Sequence, residues 1–136
     1  MIFVDTGAWF ALAVRNDADH AQAMGWVRRN REPLVTTDYV LAETATLLRM
    51  RDKTARGHRL AVQVATSILA AEAATLEKVS ERDLEQALVG FRTYRDHFFS
   101  FTDCTSFVVM ERLGIRHAFA FDQNFDQYPG ILRMPR

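Results

Sequence analysis

The chain has a single cysteine, Cys104. One thiol excludes an internal disulfide and suits a reducing compartment. There is no excess of either charge sign: Lys and Arg total 17, Asp and Glu total 17, and the formal net charge is zero. A neutral total argues against long-range attraction to nucleic acid, although it leaves room for a local basic groove. No apolar run reaches the roughly 18 residues of a membrane span. The first residues read directly as a strand, so neither a signal peptide nor a membrane partner is expected, and the cytoplasm is the expected compartment. Repeats, low-complexity tracts and linkers are also missing. The 136 residues therefore read as one domain, 1–136, long enough to bury a core without staples.

What is present begins with MIFVDTGAWF, Met1 to Phe10. Ile2, Phe3 and Val4 form an unbroken apolar run too short for a helix, the pattern of a parallel strand covered on both faces. Asp5 stands where that strand stops, Thr6 and Gly7 give a turn signal, and Trp9, Phe10 and Leu12 open a helical stretch. In open α/β sheets, sites form in the crevice outside the carboxyl ends of strands. An acid at such a place directs attention to the others.

Further along, Ala21 to Arg31 reads as a helix stopped by Pro33, and Leu34 and Val35 as a second strand. Thr36, Thr37 and Asp38 are candidate caps for a largely buried helix from Tyr39 to Arg51. Gly57 is expected to interrupt before a helical stripe of Leu60, Val64, Ile68 and Leu69. Ala74 to Val79 reads as a third strand, and Ser80 with Asp83 as a capping box opening a helix. A helix from Ser100 to Leu113 ends at Gly114, Ala118 to Phe121 reads as a fourth strand, and Ile131 to Met134 as a fifth. Strands separated by helices imply an α/β fold, a three-layer α/β/α sandwich with a mainly parallel central sheet.

Four acids stand out. Asp5 and Asp122 follow strands, each in a position that an Asx-turn or N-cap also explains. Glu43 has Tyr39, Val40, Thr46 and Leu47 three and four positions away, so no Lys or Arg on its own helix pairs with it. Asp103 lies three residues after Ser100, the spacing of a capping box, yet shares its face with Ser106, Phe107 and Met110. If the first and fourth strands are neighbours, Asp5 and Asp122 are delivered to one crevice, while Glu43 and Asp103 stand on helices whose apolar content makes them internal. Carboxylates gathered in a water-poor pocket raise one another's pKa values, and hard divalent cations with oxygen ligands relieve this. Mg²⁺ or Mn²⁺ at such a site activates water and steadies a phosphoryl transition state.

Taken together, VDTGAWFAL, TTDYVLAETATLL around Glu43, SFTDCTSFVVMERLGI around Asp103 and AFAFDQNF around Asp122 resemble the PIN-domain family, in particular its VapC-type toxins. The resemblance runs through essentially the whole chain. It implies a metal-dependent endoribonuclease that hydrolyses RNA with a metal-activated water. Asp5, Glu43, Asp103 and Asp122 would then be the quartet holding Mg²⁺ or Mn²⁺. It also implies a cognate antitoxin as partner and a homodimer. Two positions depart from the family pattern: Gly7 stands where many relatives carry Ser, and Gln123-Asn124 replaces a charged pair. Thr6 is the candidate substitute for the missing hydroxyl, with Ser106 and Asp126 as further groups beside the metal.

Arg49, Arg51, Lys53, Arg56 and Arg59 form a basic run read as a phosphate-holding rim for RNA. Cys104 reads as a small core side chain, and the four histidines share no zinc-ligand spacing. Phe98, Phe99 and Phe101 read as core or lid residues, with base stacking as the other role open to them. Two competing classes are a Mg²⁺-dependent phosphotransfer or receiver-like domain and a non-catalytic binding protein that kept the fold. Against the receiver, Gly7 occupies the place of a second acid, and Arg133 is the only cation near a late strand.

Overall fold

The computed structural model describes residues 1–136. In chain order the elements are β1 (Ile2–Val4), α1 (Thr6–Ala13), α2 (His20–Arg29), β2 (Leu34–Thr37), α3 (Asp38–Arg51) and α4 (Ala55–Leu69). They continue with β3 (Thr75–Glu77), α5 (Glu81–Thr93), α6 (Phe101–Leu113), β4 (His117–Phe119), α7 (Asn124–Gln127) and β5 (Leu132–Met134). The strands form one all-parallel sheet in the order β3-β2-β1-β4-β5. Right-handed crossovers put the helices before β3 on one face and those after it on the other, the sandwich expected from the alternation.

The central strands are short because each is buried on both faces and needs only a few apolar residues to cross the core, while the edge strands β3 and β5 stay partly exposed. Ile2, Phe3, Val4, Ala118 and Phe119 are all buried. Phe119 stacks on Trp26 of α2 at 4.2 Å between centroids, while Phe107 of α6 packs edge-on to Phe125 at 5.1 Å. These pairs clamp the sheet between its two helical layers.

Helix starts follow local chemistry. Thr37 is the N-cap of α3, accepting from the Val40 N–H at 3.1 Å. Asp38 instead accepts from the Val79 N–H at 2.9 Å and ties α3 to the exit of β3. Ser80 and Ser100 both form complete capping boxes, with Asp83 and Asp103. Gly114, at φ 69°, ends α6 in the left-handed conformation that glycine adopts at least cost.

Gly57 corrects the sequence expectation. It does not interrupt a helix but lies buried in the first turn of α4. A Cβ there would sit 1.9 Å from the Asp52 carbonyl oxygen, so the glycine permits close packing against the preceding loop. The fourth strand stops at Phe119, two residues early, and the polar segment after Asp122 forms the short α7.

The topology has one switch point that matters. From β1 the chain steps to β2 on one side, and β4 fills the other side. Val4 pairs with Phe119, and the Asp5 N–H donates to the Phe119 carbonyl at 3.0 Å. The crevice outside β1 and β4 is where an open α/β sheet offers a site.

Candidate metal centre

Asp5 occupies that crevice because β1 ends there. Its carbonyl accepts from the N–H groups of Ala8 and Trp9 at 3.1 and 3.2 Å, so its backbone starts α1. Its side chain makes no capping hydrogen bond. The turn and cap explanations for this acid therefore fail, and a buried carboxylate is left over. Burial pushes its pKa up to about 8, the charge of Asp103 adds to this, and Glu43 and Asp122 contribute further. Only the Thr6 N–H works in the other direction. A neighbouring brace holds the strand end: the Trp9 indole donates to Thr36 Oγ1 at 3.2 Å, and Thr36 donates to the Val4 carbonyl at 2.9 Å.

The other three acids arrive from three elements. Helices α1 and α3 follow strands and α6 precedes one, so all three start at the carboxyl edge of a parallel sheet. Glu43, in the second turn of α3, is half-buried with a raised pKa. Burial is the main cause, the Thr102 hydroxyl opposes it, and Asp103 and Asp122 reinforce it. Asp103, in the first turn of α6, is also raised by burial, with Asp122 adding to the effect. Its Oδ2 accepts from the Ser100 N–H at 3.0 Å and from Asn124 Nδ2 at 3.1 Å, which leaves Oδ1 unbonded. Asp122 is exposed and accepts the Asn124 N–H at 2.9 Å.

Asn124 is the residue that sequence reasoning missed. Its backbone holds Asp122 and its amide holds Asp103, so one side chain spaces two acids. The Asp-x-Asn pattern of an Asx-turn was the signal available. Asp126 goes elsewhere: it pairs with Arg133 Nε at 2.9 Å on β5 and is committed there rather than beside the metal. The same pair occupies Arg133, removing the one cation a receiver-like site could have used.

The donor set fits a hard divalent cation. All four side chains offer oxygen, and three nearby hydroxyls are buried without a partner: Thr6 Oγ1, Thr44 Oγ1 and Ser106 Oγ. Each lies next to a quartet acid in sequence or one helical turn from it. Buried hydroxyls without partners are rare, and a hydrated ion with its waters satisfies them. The acids form an open crevice and not a closed ligand shell: no three acidic, histidine or cysteine groups converge closely enough for that. Mutual repulsion of carboxylates and the Asn124 bonds account for the spacing. Cys104 takes no part. Burial, followed by the charge of Asp103, pushes its thiol up to about 11, so it stays protonated.

The basic run divides. Arg51, Arg56 and Arg59 line a cleft of about 670 Å³ with Arg15 at the end of α1. Arg51 also lies over the Phe10 ring at 5.5 Å. Arg49 and Lys53 are exposed outside that cleft, with Arg49 reaching the Asp52 carbonyl at 3.4 Å. Arg51 is eight residues beyond Glu43 on α3, about 12 Å along the axis. A larger cleft of about 750 Å³ between α5 and α6 contains none of the four acids.

A parallel α/β sandwich with carboxylates at its switch point defines a class of metal-dependent nuclease folds, and this chain belongs to the PIN-domain family, whose profile matches residues 2–131. Within the family the likeness is to VapC-type proteins. The chain is 39% identical over 125 residues to the 23S rRNA-specific endonuclease VapC20 of Mycobacterium tuberculosis, covering 92% of each chain. The crystal structure of Mycobacterium tuberculosis VapC20, described as a sarcin-ricin loop cleaving toxin, matches with a TM-score of 0.88 at 36% identity. It covers 96% of this chain and 97% of that one. A toxin-antitoxin complex from Klebsiella pneumoniae matches at a TM-score of 0.68 over 97% of this chain and 96% of that one. Its 10% identity extends the likeness to the fold alone.

Proposed function

We propose that this chain is a divalent-metal-dependent endoribonuclease, the toxin of a toxin–antitoxin pair, with Asp5, Glu43, Asp103 and Asp122 holding the metal. The observation that carries the reading is Asp5. A carboxylate buried at a strand end, unused as a cap and surrounded by three further acids, is stable as an anion only with a cation beside it. Mg²⁺ or Mn²⁺ suits an all-oxygen site that must also accept waters and a phosphate. When bound, such an ion lowers the pKa of a water and offsets the charge developing on a phosphodiester.

The residues of the chain divide the remaining work. Asn124 fixes the spacing of Asp103 and Asp122. Thr6 and Ser106 supply hydroxyls for ordered waters. The cleft of Arg15, Arg51, Arg56 and Arg59 holds backbone phosphates flanking the scissile one, with Arg49 and Lys53 at its edge. The substrate class is structured RNA that presents a loop, by likeness to the 23S rRNA-specific endonuclease that shares 39% of the matched residues and to the sarcin-ricin loop cleaving toxin of the same fold. A ribosomal RNA target would put the site of action in the cytoplasm. A cognate antitoxin and a second copy of the chain are the protein partners. The exposed apolar residues Met50, Val62 and Leu69 on α3 and α4, and Leu88, Val89 and Phe91 on α5, offer surface for them.

The test is cleavage of total cellular RNA by the purified protein with Mn²⁺, with EDTA, and as Asp5→Asn. Discrete fragments only with metal and only with Asp5 intact are expected. Cleavage that survives EDTA and the substitution would remove the metal reading.

A further inference from the structure

We propose that Phe98 is a stacking platform for an unpaired RNA base next to the acid crevice, a substrate-binding residue for the cleavage reaction. The proposal rests on the nuclease reading above. Its ground is an exposed aromatic side chain whose backbone is hydrogen-bonded to Asn124, the residue that also holds two of the acids. Phe98 is 93% exposed, the highest value among the large apolar side chains. Leaving a phenylalanine in water forgoes the burial free energy that its neighbours obtain.

Mobility does not explain the exposure, because everything around Phe98 is anchored. His97 stacks on Phe99 at 5.0 Å, and Phe99 is buried edge-on to Phe107 at 5.1 Å. The His97 N–H donates to the Tyr94 carbonyl at 3.0 Å, and the Ser100 N–H donates to Asp103. The Phe98 carbonyl itself accepts Asn124 Nδ2 at 3.0 Å, the same nitrogen that donates to Asp103 Oδ2 at 3.1 Å. The two acceptors therefore lie no more than about 6 Å apart. The Phe98 backbone stands within one nucleotide's length of Asp103, on a segment whose two neighbouring rings are turned inward.

The chemistry of the expected substrate selects a base as the occupant. Unpaired bases in RNA loops are recognised by stacking on aromatic faces, and every base has such a face. A lone phenylalanine offers stacking without hydrogen-bond readout. It therefore holds the nucleotide beside the scissile phosphate and leaves sequence discrimination to other contacts.

The experiment compares wild type with Phe98→Ala, Phe98→Trp and Leu113→Ala, the last being an exposed apolar control at the far end of α6. Probes are a short fluorescein-labelled single-stranded RNA and the same RNA closed as a hairpin loop. Binding is read by anisotropy in EDTA and cleavage with Mn²⁺. A loop carrying 2-aminopurine reports stacking directly. Phe98→Ala is expected to weaken binding roughly 5- to 150-fold, the range of one lost base stack. KM should rise in step while kcat at saturating RNA stays within about twofold, as for uniform binding. The salt dependence of binding should not change, because no ion pair is lost. Phe98→Trp should restore affinity, the 2-aminopurine quench should vanish only in Phe98→Ala, and Leu113→Ala should match wild type. Phe98→Ala that binds and cleaves like wild type overturns the proposal. So does a change in sedimentation without a change in RNA affinity, since Phe98 then covers a second copy of the chain. Wild type that binds RNA through Phe98 but never cleaves it would sink the nuclease reading and leave the stacking assignment in place.

Discussion

Two capping boxes in this chain are built alike and have opposite electrostatics. At the start of α5 the Ser80 N–H donates to Asp83 Oδ2 at 3.0 Å and the Asp83 N–H to Ser80 Oγ at 3.0 Å. At the start of α6 the Ser100 N–H donates to Asp103 Oδ2 at 3.0 Å and the Asp103 N–H to Ser100 Oγ at 2.9 Å. Both aspartates are buried, 2% and 6% exposed. Burial pushes both upward, yet Asp83 ends below the ordinary carboxylate value and Asp103 above it. The difference is the partner. Arg112 donates to both oxygens of Asp83, at 2.9 and 2.8 Å, and also reaches Glu77 at 2.8 Å. Asp103 faces Asp122 and Asp5, and beyond the cap's own Ser100 it has only the neutral Asn124 to offset them. A motif that starts a helix is thus structural where a cation closes it, and available for chemistry where more acids surround it.

The largest effect should come from exchanging the neutral analogue between the two boxes. Asp103→Asn is expected to remove metal-dependent RNA cleavage by more than about a hundredfold, the upper end of what losing even an outer contact to a metal costs. It should unfold at nearly the wild-type urea concentration, since an amide oxygen still caps. Asp83→Asn should do the reverse. Cleavage stays near wild type, and urea unfolding falls by about 2 to 3 kcal/mol as the hydrogen bonds to a charged partner weaken. Equal loss of activity in both would break the comparison.

A second contrast appears in pH. Asp5 is raised to about 8 from an ordinary 3.8, so the folded state is penalised wherever the unfolded chain would already be ionised. Its contribution is fully present below about 4 and is lost as pH rises toward 8. Asp83 is lowered, so its contribution is present above the ordinary value and lost as pH falls through its folded value. Metal-free protein should therefore lose stability at both ends. Asp5→Asn is expected to remove the larger part of the alkaline decline, leaving what Glu43 and Asp103 contribute, and to exceed wild type at pH 8 by on the order of a few kcal/mol. Adding Mn²⁺ should stabilise wild type at pH 8 and leave Asp5→Asn unmoved. Urea titrations at pH 5 and 8 read both, and an alkaline decline that survives the substitution undiminished would place its origin elsewhere.

Much of this was readable in the residues because it depends on local order. The buried strands are continuous apolar runs, the acids end strands or lack i±3 and i±4 partners, and both capping boxes follow from spacing. What stayed hidden depends on contacts across the fold. Nothing near Asp83 in sequence announces Arg112, 29 positions on, just as nothing near Asp126 announces that Arg133 will claim it. Asn124 became a spacer of two acids only once α6 and α7 met. Gly57 read as a breaker because its reason, a carbonyl 1.9 Å from where a Cβ would stand, is a packing fact. Phe98 and Phe99 were indistinguishable until one turned inward.

The smallest and sharpest test leaves both aspartates in place and removes only the serine hydroxyls. Ser80→Ala and Ser100→Ala each delete an N-cap acceptor, from Asp83 N–H and Asp103 N–H, while the serine backbone N–H still donates to the carboxylate. Each should cost about 1 kcal/mol in urea unfolding, so stability alone cannot tell the two boxes apart. Function can. Loosening Asp83 leaves it held by the two Arg112 bonds, and Mn²⁺ affinity and cleavage should not change. Loosening Asp103 leaves only the Asn124 amide and the Ser100 N–H to orient a carboxylate that other acids repel. Ser100→Ala should therefore weaken Mn²⁺ binding by about tenfold, the size of an outer-shell loss, with cleavage recovering at high Mn²⁺. Equal Mn²⁺ affinities in the two variants would mean that the cap hydroxyl does not position Asp103, and that Asn124 suffices.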